Sequence, residues 1–355
     1  LTGHSLSPLS DALLKTLKKF MEIGPMNIAS LLFMLLICGL IAALAAMVLM
    51  AEGLLRPPRM NDGKAMWVLR RLSPGDLGLN FEETWFRVQD ERGGKLRLAA
   101  WWIPAAKSSD RCVVLLHGYA DAKVGAVAWA PLWHELGFNV LAIDLRAHGE
   151  SDGRYCAGGW LERQDVAQAI DQLLVDRPNE TRRMVLFGAS FGAAVAAATA
   201  AMREDIRAVV LDSPYVSFSR AAMRRMDRLG APGRWFQRPA IWLAGLVAGA
   251  DLGALSTTES ITALRCPVMV ILPANDPTLS LEDSEAIRRT VAERSKAFTQ
   301  DRLWEVAGAG HILALAADAE GYGRELGAFL RGARLGSEEV EVEGKGLRES
   351  APPER

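Results

Sequence analysis

The chain predicts an α/β fold: a mostly parallel eight-stranded sheet with helices on both faces, preceded by one apolar helix. Three observations lead there. Strand-like and helix-like stretches alternate along most of the 355 residues, the pattern of a parallel sheet covered by helices. Five of the strand-like stretches are continuous apolar runs bounded by polar, Gly or Pro residues, as strands buried on both faces require. One uncharged stretch near the start is long enough to cross a bilayer.

That uncharged stretch comes first in the chain. No charged residue lies between Glu22 and Glu52, and "IASLLFMLLICGLIAALAAMVLMA" (28–51) exceeds the about 20 apolar residues a transmembrane helix needs. A core helix of this length would carry a polar face. Ala43-Leu44-Ala45 loosely resembles a signal-peptide cleavage site, but cleaved signals have apolar regions of only about 7–15 residues. The length favours a retained single-pass anchor. In the N-terminal segment 1–27, Leu13, Leu14, Leu17 and Phe20 would share one face of a short interfacial helix. Lys15, Lys18 and Lys19 precede the span, and Arg56, Arg59, Lys64, Arg70 and Arg71 follow it. That bias leans toward a cytoplasmic catalytic domain. Residues 52–77 read as a linker, so deleting 1–55 is expected to leave every strand untouched.

Residues 78–334 form the main domain. Two strands, 81–90 and 95–105, flank a Gly-Gly turn and read as an opening hairpin. Strands follow at 111–118, 138–149, 182–190, 206–215, 266–276 and 301–311. Helical spacing lies between them, as in Val166, Ile170, Leu173 and Leu174. The segment 216–264, rich in Arg, Trp and Met, interrupts the alternation and reads as a helical cap over the strand ends. Its Trp and Met residues suit packing better than substrate contact, while Trp235, Phe236 and Trp242 also suit a membrane–water boundary. The charged tail 335–355 reads as disordered.

Composition narrows the function. With 41 basic and 42 acidic side chains, the chain lacks the basic surplus of a nucleic-acid binder. Cys38, Cys112, Cys156 and Cys266 are widely spaced, which points to neither a metal site nor a disulfide framework.

The chemistry concentrates at predicted strand ends, where ligands of parallel α/β sheets bind. Gly188-Ala189-Ser190-Phe191-Gly192 is G-x-S-x-G between a strand and a run of helix formers. Such a turn lifts a nucleophilic hydroxyl above the sheet. Ser190, Asp276 and His311 follow in the order nucleophile, acid, base. Serine needs a base to take its proton, and the base needs an acid to orient it. Asp212, at the preceding strand end, is the alternative acid. Among the five histidines only His311 lies after the acid, in a glycine-flanked loop. Asp144 and Asp152 read as loop anchors.

The stretches "LLHGYAD", "VLAIDLRAHGESDGRY", "LFGASFGAAVA", "VVLDSPY" and "GAGH" resemble the α/β-hydrolase superfamily, over roughly residues 78 to 332. They are similar above all to membrane-anchored bacterial hydrolases of the serine aminopeptidase-like or Bem46-like kind. The resemblance implies an α/β-hydrolase fold with a catalytic triad of Ser190, Asp276 and His311. It implies an oxyanion hole from the backbone N–H groups of Tyr119 and Phe191, with His117 in the oxyanion turn and His148 in a loop-shaping motif. In one respect the chain departs from its relatives, which carry His-Gly shortly before the acid where this chain has "LPANDPTLS". The expected activity is hydrolysis of carboxylic esters, with apolar acyl chains, through an acyl-enzyme. No metal or organic cofactor is called for, and the expected partners are a small-molecule or lipid ester and the membrane. The alternatives are an aminopeptidase-like amide hydrolase, which would want an acidic pocket, and a non-catalytic membrane scaffold, which would be expected to lose triad members.

Overall fold

A computed structural model of the chain describes residues 28–89, 93–227 and 231–336. The N-terminal segment expected to lie on an interface and nearly all of the tail expected to be disordered fall outside them. The chain divides into two units, Leu1–Leu49 and Met50–Arg355.

In the first unit the described residues belong to one helix, Ile28–Leu55, whose last residues pass into the second unit. It is long and apolar enough to cross a membrane. Its apolar side chains lie open to the surroundings, Phe33, Leu36 and Ile41 among them.

The second unit is built on eight strands: β1 (Glu82–Gln89), β2 (Lys95–Ile103), β3 (Arg111–Leu116), β4 (Asn139–Ile143), β5 (Arg183–Ala189), β6 (Ile206–Asp212), β7 (Val268–Pro273) and β8 (Arg302–Val306). They form a single sheet in the order β1-β2-β4-β3-β5-β6-β7-β8. The pairs β1–β2 and β2–β4 are antiparallel, and the remaining pairs, from β4–β3 to β7–β8, are parallel. The apolar runs behave as double-faced strands. In β5, Met184 and Leu186 enter the core on one side of the sheet, and Val185, Phe187 and Ala189 the core on the other. Several strands end two to six residues earlier than the sequence predicts. Their last polar residues leave the ladder and turn out over the carboxyl edge.

From β3 the chain crosses to β4 on one side and then to β5 on the other. The loops leaving β3 and β5 diverge, opening a crevice where the order reverses. The described residues of the insertion between β6 and β7 include the helices Phe218–Asp227, Ala231–Ala248 and Thr257–Ala263.

The segment 52–77, read as a linker, is more structured than expected. The apolar helix runs on to Leu55, a second helix spans Asp62–Leu69, and Asn61 caps it by accepting from the Lys64 N–H. Ala51 and Leu55 are buried in the core of the second unit. The terminal carbonyls of the helix, which have no partners within it, are taken up by the domain. Leu55 O accepts from the Cys156 N–H at 2.8 Å. The Tyr119 hydroxyl lies 2.8 Å from Leu54 O and 3.1 Å from Gly53 O.

Deleting residues 1–55 leaves every strand in place, as expected, but it also removes Ala51 and Leu55 from the core. A chain starting at Met50 should fold and melt as a complete domain. One starting at Arg56 should melt about 10 °C lower, because losing a buried leucine costs about 2–5 kcal/mol and a domain of this size shifts by a few degrees per kcal/mol. Thermal melts of the two truncations test this, and equal midpoints would contradict it.

Candidate active site

At the end of β5 the backbone of Ser190 adopts φ 53°, ψ −110°, a conformation that a non-glycine residue holds only when its surroundings impose it. The imposition comes from close approach. A methyl group on Gly188 would run into the Gly192 carbonyl, and one on Gly192 into the Leu116 carbonyl. The helix Phe191–Ala201 can thus begin directly against β3 and β5. The Ser190 N–H donates to Asp212 O at 2.8 Å, closing the turn.

The loops after β7 and β8 bring two further side chains to this hydroxyl. His311 Nε2 lies 2.8 Å from Ser190 Oγ, and His311 Nδ1 lies 2.6 Å from Asp276 Oδ2. With an ionised carboxylate at Nδ1, the neutral ring carries its proton there, which leaves Nε2 free to accept from the serine. Asp276 Oδ1 is held by the Thr278 N–H at 2.7 Å and the Thr278 hydroxyl at 2.6 Å. Burial alone would raise the Asp276 carboxyl. The hydrogen bonds from His311 and Thr278 oppose that and hold it below the usual carboxylate range.

Asp212, the alternative acid, makes no hydrogen bond to His311. Its oxygens accept from the Ser213 hydroxyl at 2.8 Å and the Tyr322 hydroxyl at 2.9 Å. Ser213 Oγ in turn accepts from the Ile312 N–H at 3.0 Å. Ile312, next to His311, has φ 60°, an outlier for a β-branched residue. Asp212 and Ser213 thus steady the strained loop that presents the histidine. Sequence reasoning passed over Ser213, Thr278 and Tyr322. Thr278 had a signal, since aspartate two residues before a threonine favours a local side-chain turn. Tyr322, on the helix Ala319–Gly332, had none.

Burial raises the Asp212 carboxyl to about 6, against the opposing bonds from Ser213 and Tyr322. Between its ordinary value and about 6 the folded chain therefore keeps a proton that the unfolded chain has released. The folded state binds more protons in that window, so its stability falls as pH rises through it. The Asp212 contribution should amount to on the order of 3 kcal/mol between pH ~4 and pH ~7. Denaturant unfolding of wild type and Asp212→Asn across that range should show the difference. A wild-type-minus-variant stability independent of pH would contradict it.

Tyr119 and Phe191, implied as the sources of oxyanion amides, sit on either side of the crevice. Gly118 abuts Ser190, so that a methyl on it would lie 3.8 Å from the serine Cβ. Among the described residues neither the Tyr119 nor the Phe191 N–H donates to a protein acceptor. His117 is buried, and burial lowers it to about 4, so it is neutral. Its Nε2 accepts from the Leu145 N–H at 3.0 Å while Nδ1 faces Gly118 O at 2.7 Å. It ties the turn after β3 to the loop after β4. His148 stacks on Phe191, with ring centroids 5.9 Å apart. Phe218, which opens the inserted helices, lies 6.0 Å from Phe191 and 5.7 Å from Tyr119 between centroids. Asp144 accepts from the N–H groups of Lys123 and Glu150, and Asp152 from the N–H of Arg97. Both brace loops. No cluster of metal-ligating side chains occurs among the described residues.

The sheet order, the strained turn at Ser190 and the crevice define an α/β-hydrolase fold. Residues 107–252 match the family described as serine aminopeptidase, S33. Among individual proteins, the uncharacterized protein YfhR of Escherichia coli K12 is 34% identical over 143 residues, covering 38% of this chain and 49% of that one. The match thus spans about half the length of that relative. The uncharacterized protein Rv2307c of Mycobacterium tuberculosis is 29% identical over 217 residues, 61% of this chain and 68% of that one. An esterase of Pyrococcus furiosus superposes with a TM-score of 0.61 at 24% identity, over 78% of this chain and 97% of the esterase. A membrane phospholipase A described as a bacterial virulence factor superposes with a TM-score of 0.51 at 17% identity, over 85% of this chain and 98% of its own.

Proposed function

We propose that the chain is a serine hydrolase that cleaves carboxylic esters of apolar acyl groups through an acyl-enzyme. The observation that carries this reading is the unbroken relay Ser190–His311–Asp276 ending on a serine in a strained turn. His311 Nε2 takes the Ser190 proton as Oγ adds to the substrate carbonyl. The Tyr119 and Phe191 amides hold the resulting oxyanion. The imidazolium, stabilised by Asp276, returns its proton to the leaving alkoxide as the acyl–oxygen bond breaks. Water then enters, His311 deprotonates it, and the acyl-enzyme is hydrolysed by the same steps in reverse order of roles. The apolar helix would serve as a single-pass anchor, with the charge bias around it favouring a cytoplasmic catalytic domain.

The preference for esters rests on the chain's own residues. The aromatic surroundings of the site, Tyr119, Phe191 and Phe218, suit an apolar acyl group. Both carboxylates reached by the site's hydrogen bonds are engaged, Asp276 by His311 and Asp212 by Ser213 and Tyr322. Neither is open to a substrate ammonium. The family match favours a second reading, removal of N-terminal residues from peptides. A panel of acyl esters of graded chain length, run beside aminoacyl amides on the purified chain, separates the two. Turnover of esters rising with chain length is expected. Faster turnover of the amides would favour the peptidase, and none on either series would favour a scaffold.

A further inference from the structure

The helix Ala231–Ala248 has two faces of unusual character. Gln237, Ala240, Ala244 and Ala248 are turned inward and buried. At the complementary positions stand Trp235, 76% exposed, Arg238, Trp242, 64% exposed, and Leu246, 58% exposed. Trp235 and Trp242, which the sequence offers both for packing and for a membrane–water boundary, are on the outside. Beside this stripe opens a groove of about 610 Å³ whose walls include Met223, Ile241, Trp242 and Leu246, with Arg238 and Asp251 at polar positions.

The sequence of the inserted segment is basic up to Asp251. From 218 to 250 the chain carries Arg220, Arg224, Arg225, Arg228, Arg234 and Arg238 against a single acid, Asp227. Arg220 is committed to Asp283 and Glu282, and Asp227 is shared by Arg234 and Gln237. Arg224, Arg225 and Arg238 form no ion pair among the described residues. Exposed tryptophan and leucine beside the unneutralised Arg238 is the composition of a helix lying in a bilayer interface rich in anionic lipid. Indole rings favour that depth, and an arginine near such a surface is drawn to the anionic headgroups.

We propose that the outer face of Ala231–Ala248 is a membrane-binding surface, which inserts Trp235, Trp242 and Leu246 among the lipids and sets Arg238 on anionic headgroups. The occupant is a bilayer, not a protein: the helix Ile28–Leu55 is of bilayer-spanning length, and Arg238, which forms no ion pair among the described residues, matches its anionic headgroups. A surface held near lipid by such a helix needs little intrinsic affinity, because its effective concentration is already high. The proposal is independent of the hydrolytic reading, since none of these residues belongs to the Ser190 relay.

Hydrogen exchange tests it on the full chain in detergent, in nanodiscs of phosphatidylcholine, and in nanodiscs containing phosphatidylglycerol. Amides of 234–248 should exchange at least several-fold more slowly in the phosphatidylglycerol discs than in detergent, and added salt should weaken the protection. Trp235→Ser with Trp242→Ser should remove it while leaving exchange in the sheet unchanged, which separates loss of binding from misfolding. Arg238→Gln should reduce the dependence on phosphatidylglycerol. Equal exchange in all three environments would overturn the proposal. So would protection that persists in the tryptophan double variant, or protection in detergent that grows with protein concentration, which would mark self-association.

Discussion

Ser190→Ala will not react with a fluorophosphonate probe that labels the wild-type chain, and its ester turnover will fall by about a millionfold. The size of the effect follows from the arrangement of the relay. The proposed base, His311 Nε2, is 2.8 Å from Ser190 Oγ, and removing that oxygen leaves the imidazole with nothing to activate. Any residual rate would come from binding and the oxyanion amides alone. Alanine should be tolerated structurally, because the strained backbone is imposed by the glycines and by the Ser190 N–H bond to Asp212 O. The hydroxyl plays no part in either. Equal labelling of the two proteins would end the serine-hydrolase reading.

Asp276→Asn will lower turnover by about 10⁴-fold while the protein stays folded. Asparagine in this position presents either an amide donor or a weaker carbonyl acceptor to His311 Nδ1. The donor forces the ring proton onto Nε2, where it blocks acceptance from Ser190. The carbonyl stabilises the imidazolium far less than a carboxylate does. Thr278, which donates twice to Asp276 Oδ1, would hold the asparagine in place without restoring its charge. Asp212→Asn will reduce turnover much less, because Asp212 acts on His311 only through Ser213 and the Ile312 N–H. Steady-state rates for the two variants decide the matter, and a reversed ranking would make Asp212 the acid.

The packing of the exposed indoles was not legible in the sequence. A tryptophan in a mixed apolar and basic helix reads as core or as interface with equal ease. The difference depends on which face the alanines occupy once the insertion has docked. The acid was ambiguous for a related reason. Asp212 and Asp276 both stand where a buried strand meets the carboxyl edge. Local pattern records that a carboxylate is there, not where the following loop carries it.

Much else was decided locally. The apolar runs of β3 to β7 are continuous because both faces of the sheet are covered, so their length and composition announce the parallel core before any packing is known. The turn at Ser190 is partly local, since Gly188 answers a contact with the Gly192 carbonyl within the strand–turn–helix unit, while Gly192 answers the Leu116 carbonyl of β3. Tertiary structure alone decided three things: that Asp276 rather than Asp212 reaches His311, that Tyr322 comes from the last helix to hold Asp212, and that the apolar helix ends inside the domain on Tyr119 and Cys156. Each joins groups 35 to 110 residues apart in sequence, and such meetings follow from how loops and helix ends find partners for groups that would otherwise be buried alone.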